Sequence, residues 1–230
     1  MSSQLILPAA GEGHRLGNHG PKALVPVAGV PLIVRTLNAF AELGLIEPTI
    51  VVAPEKYLKE FKDVLGQTAA KDSFVLVAGG AERQHSVRKG LEMLSPATEF
   101  VIIHDAARPF VSTEIISQSI EAARAVGAST VAIPCIDTVL EVDENRLLVS
   151  TPDRTHLWSC QTPQTFRVEI IRDAHERAER DGVLAMDDAT LVRQAGGSVQ
   201  LVPGSTRNIK ITTPDDLLFA EHLVRNESID

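Results

Sequence analysis

Aromatic side chains make up only 4% of this 230-residue sequence: one Trp, one Tyr and seven Phe. That is too few for a platform on which nucleic-acid bases stack. A positive excess is missing too, since 22 Lys and Arg stand against 30 Asp and Glu, a formal net charge of −8. A protein that neutralises many nucleic-acid phosphates carries a basic face, so this balance argues against such a partner. Cysteine is scarce. Cys135 and Cys160 cannot build a disulfide framework or a four-cysteine zinc site, and they fit a reducing compartment. None of the seven histidines forms a zinc-protease pair at helical spacing. No apolar run approaches the roughly 20 residues of a membrane helix. Residues 1–7 carry no basic segment ahead of Pro8, so no secretory signal is expected and the cytoplasm is the expected location. Internal repeats, low-complexity tracts and interdomain linkers are lacking as well.

What is present is the profile of a folded chain: 44% apolar and 23% charged residues. Residues 1–230 read as one domain, large enough to bury a core without staples. Apolar runs of strand length at 4–8, 49–53, 74–78, 100–104, 130–134 and 198–202 are mostly continuous, as expected for strands covered on both faces. Helix-period segments alternate with them. In 31–43, Ile33, Leu37 and Phe40 recur on one face before Gly44; in 83–94, Val87, Leu91 and Leu94 do the same. The segment 112–126 opens on Ser112 and stops at Gly127, and the last helix opens on Thr213-Pro214-Asp215-Asp216. Repeated strand–helix units predict an α/β, Rossmann-like fold with a mainly parallel sheet and helices on both faces.

Residues 136–154 break the rhythm. Two short strands, 138–142 and 146–150, flank a polar Asp143-Glu144-Asn145 turn. An isolated hairpin is marginal in water. Leu140, Val142, Leu147 and Val149 need cover from the body or from a second subunit, which favours a dimerisation arm over a flap on the monomer.

Chemistry concentrates first after the opening strand, in Pro8-Ala9-Ala10-Gly11-Glu12-Gly13-His14-Arg15-Leu16, then Gly20-Pro21-Lys22. Small residues at a strand end let main-chain N–H groups approach a phosphate, and the crevice at the carboxyl ends of such strands is where ligands bind. A dinucleotide fingerprint requires Gly or Ala where Leu16 stands, and a Walker A loop requires Gly-Lys-Ser/Thr, whereas Lys22 sits between Pro21 and Ala23. The loop is therefore a phosphate cradle of another kind. Arg15 and Lys22 add the fixed cations that stabilise charge developing at phosphorus.

These residues resemble the opening signature of sugar-nucleotide-type nucleotidyltransferases. Further motifs follow in order: Gly79-Gly80-Ala81-Glu82-Arg83 with Ser86, His104-Asp105-Ala106-Ala107-Arg108-Pro109, Asp137-Thr138, Asp153-Arg154 with Trp158 and Thr162-Pro163-Gln164, and Asn208-Ile209-Lys210. Together they resemble the family of 2-C-methyl-D-erythritol 4-phosphate cytidylyltransferases of non-mevalonate isoprenoid synthesis, over nearly the whole chain. The resemblance implies transfer of CMP from CTP to the polyol phosphate, with release of pyrophosphate. It implies that Ala9, Ala10, Gly11 and Gly13 line the triphosphate and base, that Arg15 and Lys22 stabilise the transition state, and that Gly80 and Ser86 face the cytosine. Asp105 would contact the polyol hydroxyls or a hydrated Mg²⁺, the implied cofactor, with Arg108 and Thr138 nearby. Arg154 and Lys210 would clamp the 4-phosphate, with Thr162 as a hydroxyl donor. Arg154 and Thr162 are expected to reach the neighbouring subunit of a homodimer. Trp158 is expected to be a packing anchor.

Three positions depart from the family pattern. Ala81 stands where Asp is frequent, Met186-Asp187-Asp188-Ala189-Thr190 replaces a commoner Thr-Asp-Glu-Ala-Ser, and Arg207 precedes Asn208 where an acid is frequent. Two alternatives remain at this level: a cytidylyltransferase for another polyol phosphate such as ribitol 5-phosphate, and a non-catalytic nucleotide-binding module on the same fold.

Overall fold

A computed structural model describes residues 2–11, 13, 16–17, 20–41, 43, 48–68 and 73–227. Among these, the strands β1 (Ser3–Pro8), β4 (Thr49–Ala53), β5 (Phe74–Ala78), β6 (Phe100–Ile103), β7 (Ala128–Pro134), β10 (Trp158–Arg167) and β11 (Gln200–Pro203) form one sheet in the order β11-β7-β10-β6-β1-β4-β5. All neighbours pair in parallel except β10, which runs antiparallel between β6 and β7. The mainly parallel sheet stands as predicted. The antiparallel member was not foreseen, because Trp158-Ser159-Cys160-Gln161-Thr162-Pro163-Gln164 neither alternates nor runs apolar.

Strand periodicity divides the side chains between two cores. Leu5, Leu7, Val51, Ala53 and Ile102 face the helices α1 (Leu32–Ala41), α2 (Leu58–Leu65) and α4 (Thr113–Val126). Ile6, Ile50, Val52, Val101 and Ile103 face α3 (Arg83–Glu92), α5 (Val168–Arg180) and α6 (Asp188–Gln194). Full burial of side chains such as Phe61, Phe166 and Leu7 stabilises the fold by about 1.5–3 kcal/mol each. The predicted helix faces are the buried ones: Ile33, Leu37 and Phe40 on α1, and Val87 and Leu91 on α3. Ser112 Oγ accepts from the Ile115 N–H at 3.3 Å, and Gly127 ends α4 at φ +95°, a conformation glycine adopts without a Cβ clash.

A third, smaller core joins β2 (Pro26–Val27), which pairs with β3 (Val30–Pro31), to the start of α1 and to α7 (Pro214–Glu227) through Val27, Leu32, Ile211 and Ala220. Thr213 and Asp216 close the first turn of α7 reciprocally: Thr213 Oγ1 accepts from the Asp216 N–H at 3.2 Å and Asp216 Oδ2 from the Thr213 N–H at 2.8 Å.

The hairpin is shorter than predicted, β8 (Glu141–Val142) and β9 (Leu148–Ser150), with Asp143 Oδ1 accepting from the N–H groups of Asn145 and Leu147 in its turn. The single chain leaves its apolar residues uncovered: Leu140, Val142, Leu147, Leu148 and Val149 are 50–65% exposed.

Candidate active site

The carboxyl ends of β1, β5 and β6 meet at one crevice of about 330 Å³. Its floor is Pro8, Ala9, Ala10 and Gly11 from β1; one wall is Gly80 to Arg83 with Ser86, and the other is Asp105 to Ala107 with Lys210. Parallel pairing continues past the strand ends, because Ala9 donates to the Val52 carbonyl at 2.7 Å, Gly79 to Ala53 at 2.8 Å and His104 to Ile6 at 3.0 Å. The loops are thus rigid extensions of the sheet. Ser86 Oγ accepts from the Gly80 N–H at 3.1 Å and donates to the Glu82 carbonyl at 3.2 Å, fixing that wall. A Cβ on Gly79 would come within 2.7 Å of Ala10 Cβ, and one on Gly80 within 2.4 Å of His85 Cβ. Glycine here is a demand of close packing, at Gly79 against the loop after β1 and at Gly80 against the first turn of α3.

Lys22 lines this crevice, held by its own N–H on the Gly11 carbonyl at 3.2 Å. Ala9, Ala10, Gly11, Gly80 and Ser86 line it too. Gly13 does not: its N–H closes the loop on the Gly20 carbonyl at 3.1 Å, and the residue is buried. Arg15 lies outside the described residues.

A second hollow of about 160 Å³ adjoins the first and shares Arg83, Asp105 and Lys210 with it. Asp105 is its electrostatic centre. Oδ1 accepts from Arg83 Nε at 3.2 Å, and Oδ2 pairs with Lys210 Nζ at 2.7 Å and faces Arg108 Nε at 3.8 Å. Burial pushes this carboxyl upward, but Arg83, Lys210 and Arg108 outweigh it and hold the group far below the usual carboxylate range. Arg108 is anchored in turn, with Nη1 donating to the Asn208 carbonyl at 2.7 Å and Nη2 to Cys160 at 3.3 Å. Asn208, fully buried, donates to the Thr162 carbonyl at 2.8 Å, and Ile211 donates to Ala107 at 2.9 Å. These bonds are why the Asn208-Ile209-Lys210 segment delivers its lysine to Asp105.

His104 lies beneath. Its Nδ1 is 3.1 Å from Thr162 Oγ1, Nε2 is 2.9 Å from the Arg108 carbonyl, and its ring tilts against Phe40. Burial lowers its pKa to about 4, so the ring is neutral at pH 7. Nε2–H then donates to Arg108, while the Thr162 hydroxyl donates to Nδ1 and accepts from the Asp105 N–H at 3.0 Å.

Four further expectations need correction, those for Thr162, Thr138, Trp158 and direct metal ligation by Asp105. Thr162 is 4% exposed and spends its hydroxyl on Asp105 and His104 of its own chain, so it positions that turn and does not reach a neighbouring subunit. Thr138 lies exposed on the hairpin arm, outside both crevices of its own chain. Arg154, expected to serve a neighbouring subunit's site, is exposed at the arm's base, donates to the Ile136 carbonyl and lines neither crevice of its own chain. Trp158 is 38% exposed and flanks a surface groove instead of anchoring the core. Asp105 also does not fit as a direct metal ligand, since both its oxygens are engaged by cations.

Sequence reasoning quoted Arg83 and Asp188 within motifs but gave neither a role, and it gave none to His175. Arg83 bridges the two carboxylates, Nε to Asp105 and Nη1 to Asp188 Oδ2 at 2.7 Å. Only the fold brings these charges together. The available signal was two consecutive acids, Asp187-Asp188, at a helix start, of which only the first is needed as a cap: Asp187 Oδ1 accepts from the Thr190 N–H at 2.8 Å.

The architecture and its motifs have close relatives. The sequence model of IspD, 2-C-methyl-D-erythritol 4-phosphate cytidylyltransferase, matches residues 4–226. The enzyme of that name from Bacillus velezensis is 41% identical over 229 residues, 99% of this chain and 98% of its own. The chloroplastic enzyme of Oryza sativa is 37% identical over 98% of this chain and 75% of its own. The crystal structure of the Thermus thermophilus cytidylyltransferase superposes with a TM-score of 0.80 at 37% identity, covering 98% of this chain and 100% of that one. That of 4-diphosphocytidyl-2C-methyl-D-erythritol synthase from Anaerococcus prevotii gives 0.85 at 30% identity, over 97% and 96%. With sequence and fold in agreement, the chain belongs to the IspD family of 2-C-methyl-D-erythritol 4-phosphate cytidylyltransferases.

Proposed function

We propose that the larger crevice binds CTP and that the adjoining cation cluster receives the phosphate of 2-C-methyl-D-erythritol 4-phosphate. A phosphate oxygen of the polyol attacks the α-phosphorus of CTP in line. The bond from that phosphorus to the bridging oxygen of the β-phosphate breaks, and pyrophosphate leaves with the electron pair. A phosphate dianion is already a nucleophile at neutral pH, so no general base is needed. Catalysis then rests on holding two anions together and neutralising the charge that develops.

The observation that carries this reading is the shared wall: one crevice is lined by Lys22, by the Gly80–Ser86 turn and by the Asp105–Lys210 pair. A nucleotide seated against Ala9–Gly11 meets the clamp for its acceptor end to end. Lys22, with Arg15, takes the triphosphate charge. Lys210 takes the acceptor phosphate as a point charge, and Arg108 frames the hydroxyls beside Asp105. Mg²⁺ bound with CTP would supply further neutralisation of the phosphate charge, and no carboxylate of this chain is assigned to hold it.

We further propose a homodimer in which the exposed apolar face of the arm is covered by the second copy, bringing Thr138 and Arg154 toward the partner's crevice. The reaction is assigned to the cytoplasm, where the unpaired thiols Cys135 and Cys160 remain reduced. Among the described residues no helix is long and apolar enough to cross a membrane. The test is pyrophosphate release with CTP and each polyol phosphate. Preference for methylerythritol 4-phosphate is expected. Preference for ribitol 5-phosphate, to which the exposed Met186 at the second hollow would then have to be adapted, overturns the substrate, and tight CTP binding without pyrophosphate overturns catalysis.

A further inference from the structure

Helix α6 begins with a buried carboxylate that takes no part in the reaction as described so far. The Asp188 side chain is 1% exposed, with Oδ1 3.1 Å from His175 Nε2 and Oδ2 accepting from Arg83 Nη1 at 2.7 Å. Its backbone is pinned to β10, because Gln164 Oε1 accepts from the N–H groups of Asp188 at 3.1 Å and Ala189 at 3.2 Å. Burial pushes the carboxyl upward, yet Arg83 and His175 outweigh it and hold it below the usual range, so Asp188 is ionised at neutral pH. Isolated buried charges are costly, and a helix start needs only one acidic cap, already supplied by Asp187.

The charges alternate from α6 to the crevice: Asp188, Arg83, Asp105, Lys210. Arg83 meets each carboxylate with one nitrogen, and its Nη2 is buried with no hydrogen-bond partner among the described residues. A guanidinium held by Asp105 alone would turn its fork onto both oxygens of that carboxylate, the geometry arginine prefers. Oδ2 would then be drawn away from Lys210. We propose that Asp188 is a positioning residue for nucleotidyl transfer: by holding the far side of Arg83, it leaves Asp105 Oδ2 to Lys210 and so sets where the acceptor's phosphate clamp stands. This rests on the assignment of Lys210 to the polyol phosphate.

Steady-state kinetics of Asp188→Asn, Lys210→Ala and the double variant test it. In Asp188→Asn, kcat/KM for the polyol phosphate should fall about a hundredfold, as for a reacting group misplaced by an ångström, while KM for CTP moves less than about twofold. In the Lys210→Ala background the same substitution should cost less than about threefold, because its effect travels through the missing ammonium. Equal losses in both backgrounds, equal losses for both substrates, or unchanged kinetics would overturn the proposal. Should Asp188→Asn fail to fold by circular dichroism, Arg83→Lys, which keeps the charge and loses the fork, must show the same split and the same non-additivity. Wild-type kinetics in Lys210→Ala would instead overturn the functional assignment itself. Loss there with normal kinetics in Asp188→Asn would overturn the positioning role alone.

Discussion

Asp105 and Lys210 form a 2.7 Å ion pair on the wall common to both crevices, and two arginines, Arg83 and Arg108, press on the same carboxylate. The pair is the hinge of the site. Removing the negative charge leaves three cations facing one another. Asp105→Asn is therefore expected to lose about 3 kcal/mol of stability, the scale on which breaking a buried ion pair destabilises. Urea midpoints at pH 7.5 check this, and a shift below about a third of that size would contradict the central place given to this carboxylate.

Thr162 offers a separate check, because its hydroxyl serves its own chain. Thr162→Val leaves the buried Asp105 N–H without its acceptor and His104 Nδ1 without its donor. The expected loss is about 2 kcal/mol, lowering Tm by roughly 4–8 °C for a chain of this size. Arg154→Ala, at an exposed position, should leave Tm within a degree or two, roughly the effect of an ordinary surface substitution. Equal Tm values for the two variants would show that Thr162 does not hold the Asp105 turn.

Acid stability follows from His104. Its pKa is lowered to about 4 by burial, so between roughly pH 6.5 and 4 the unfolded chain binds a proton that the folded chain does not. Stability is fully present above pH 6.5 and falls as pH drops through this window, by roughly 3 kcal/mol from this group. Asp105 and Asp188, both held low, add further losses only below about pH 4. Denaturant titrations of wild type and His104→Gln across pH 4–7 should differ in slope. Parallel curves would remove His104 as the source.

The arm makes a prediction about association. Replacing Leu140, Val142, Leu147 and Val149 with Ser should leave monomer stability within about 0.5 kcal/mol, since each is at least 50% exposed. It should shift light scattering from dimer to monomer. An unchanged dimer would show that another surface joins the copies.

The parallel sheet was legible in the sequence because its strands are continuous apolar runs and its helices carry clear faces, as in Ile33, Leu37 and Phe40. The cradle residues were legible because small side chains at a strand end have few other uses. β10 escaped because its buried positions are polar and satisfied by partners from other elements: Gln164 by Asp188 and Thr130, Thr165 by Ser119. Thr162 was misplaced for the same reason. The link from Asp188 to Lys210 lay beyond reach, since its members come from four separate segments and no local pattern ties them.

Pyrophosphate release by wild type and Lys22→Ala, with CTP and methylerythritol 4-phosphate, bears most directly on the claim that fixed cations in this crevice drive the transfer. With the fold intact by circular dichroism, the variant should lose about a thousandfold or more in turnover, the scale for removing a preorganised charge-stabilising group. Turnover within about tenfold of wild type would contradict it.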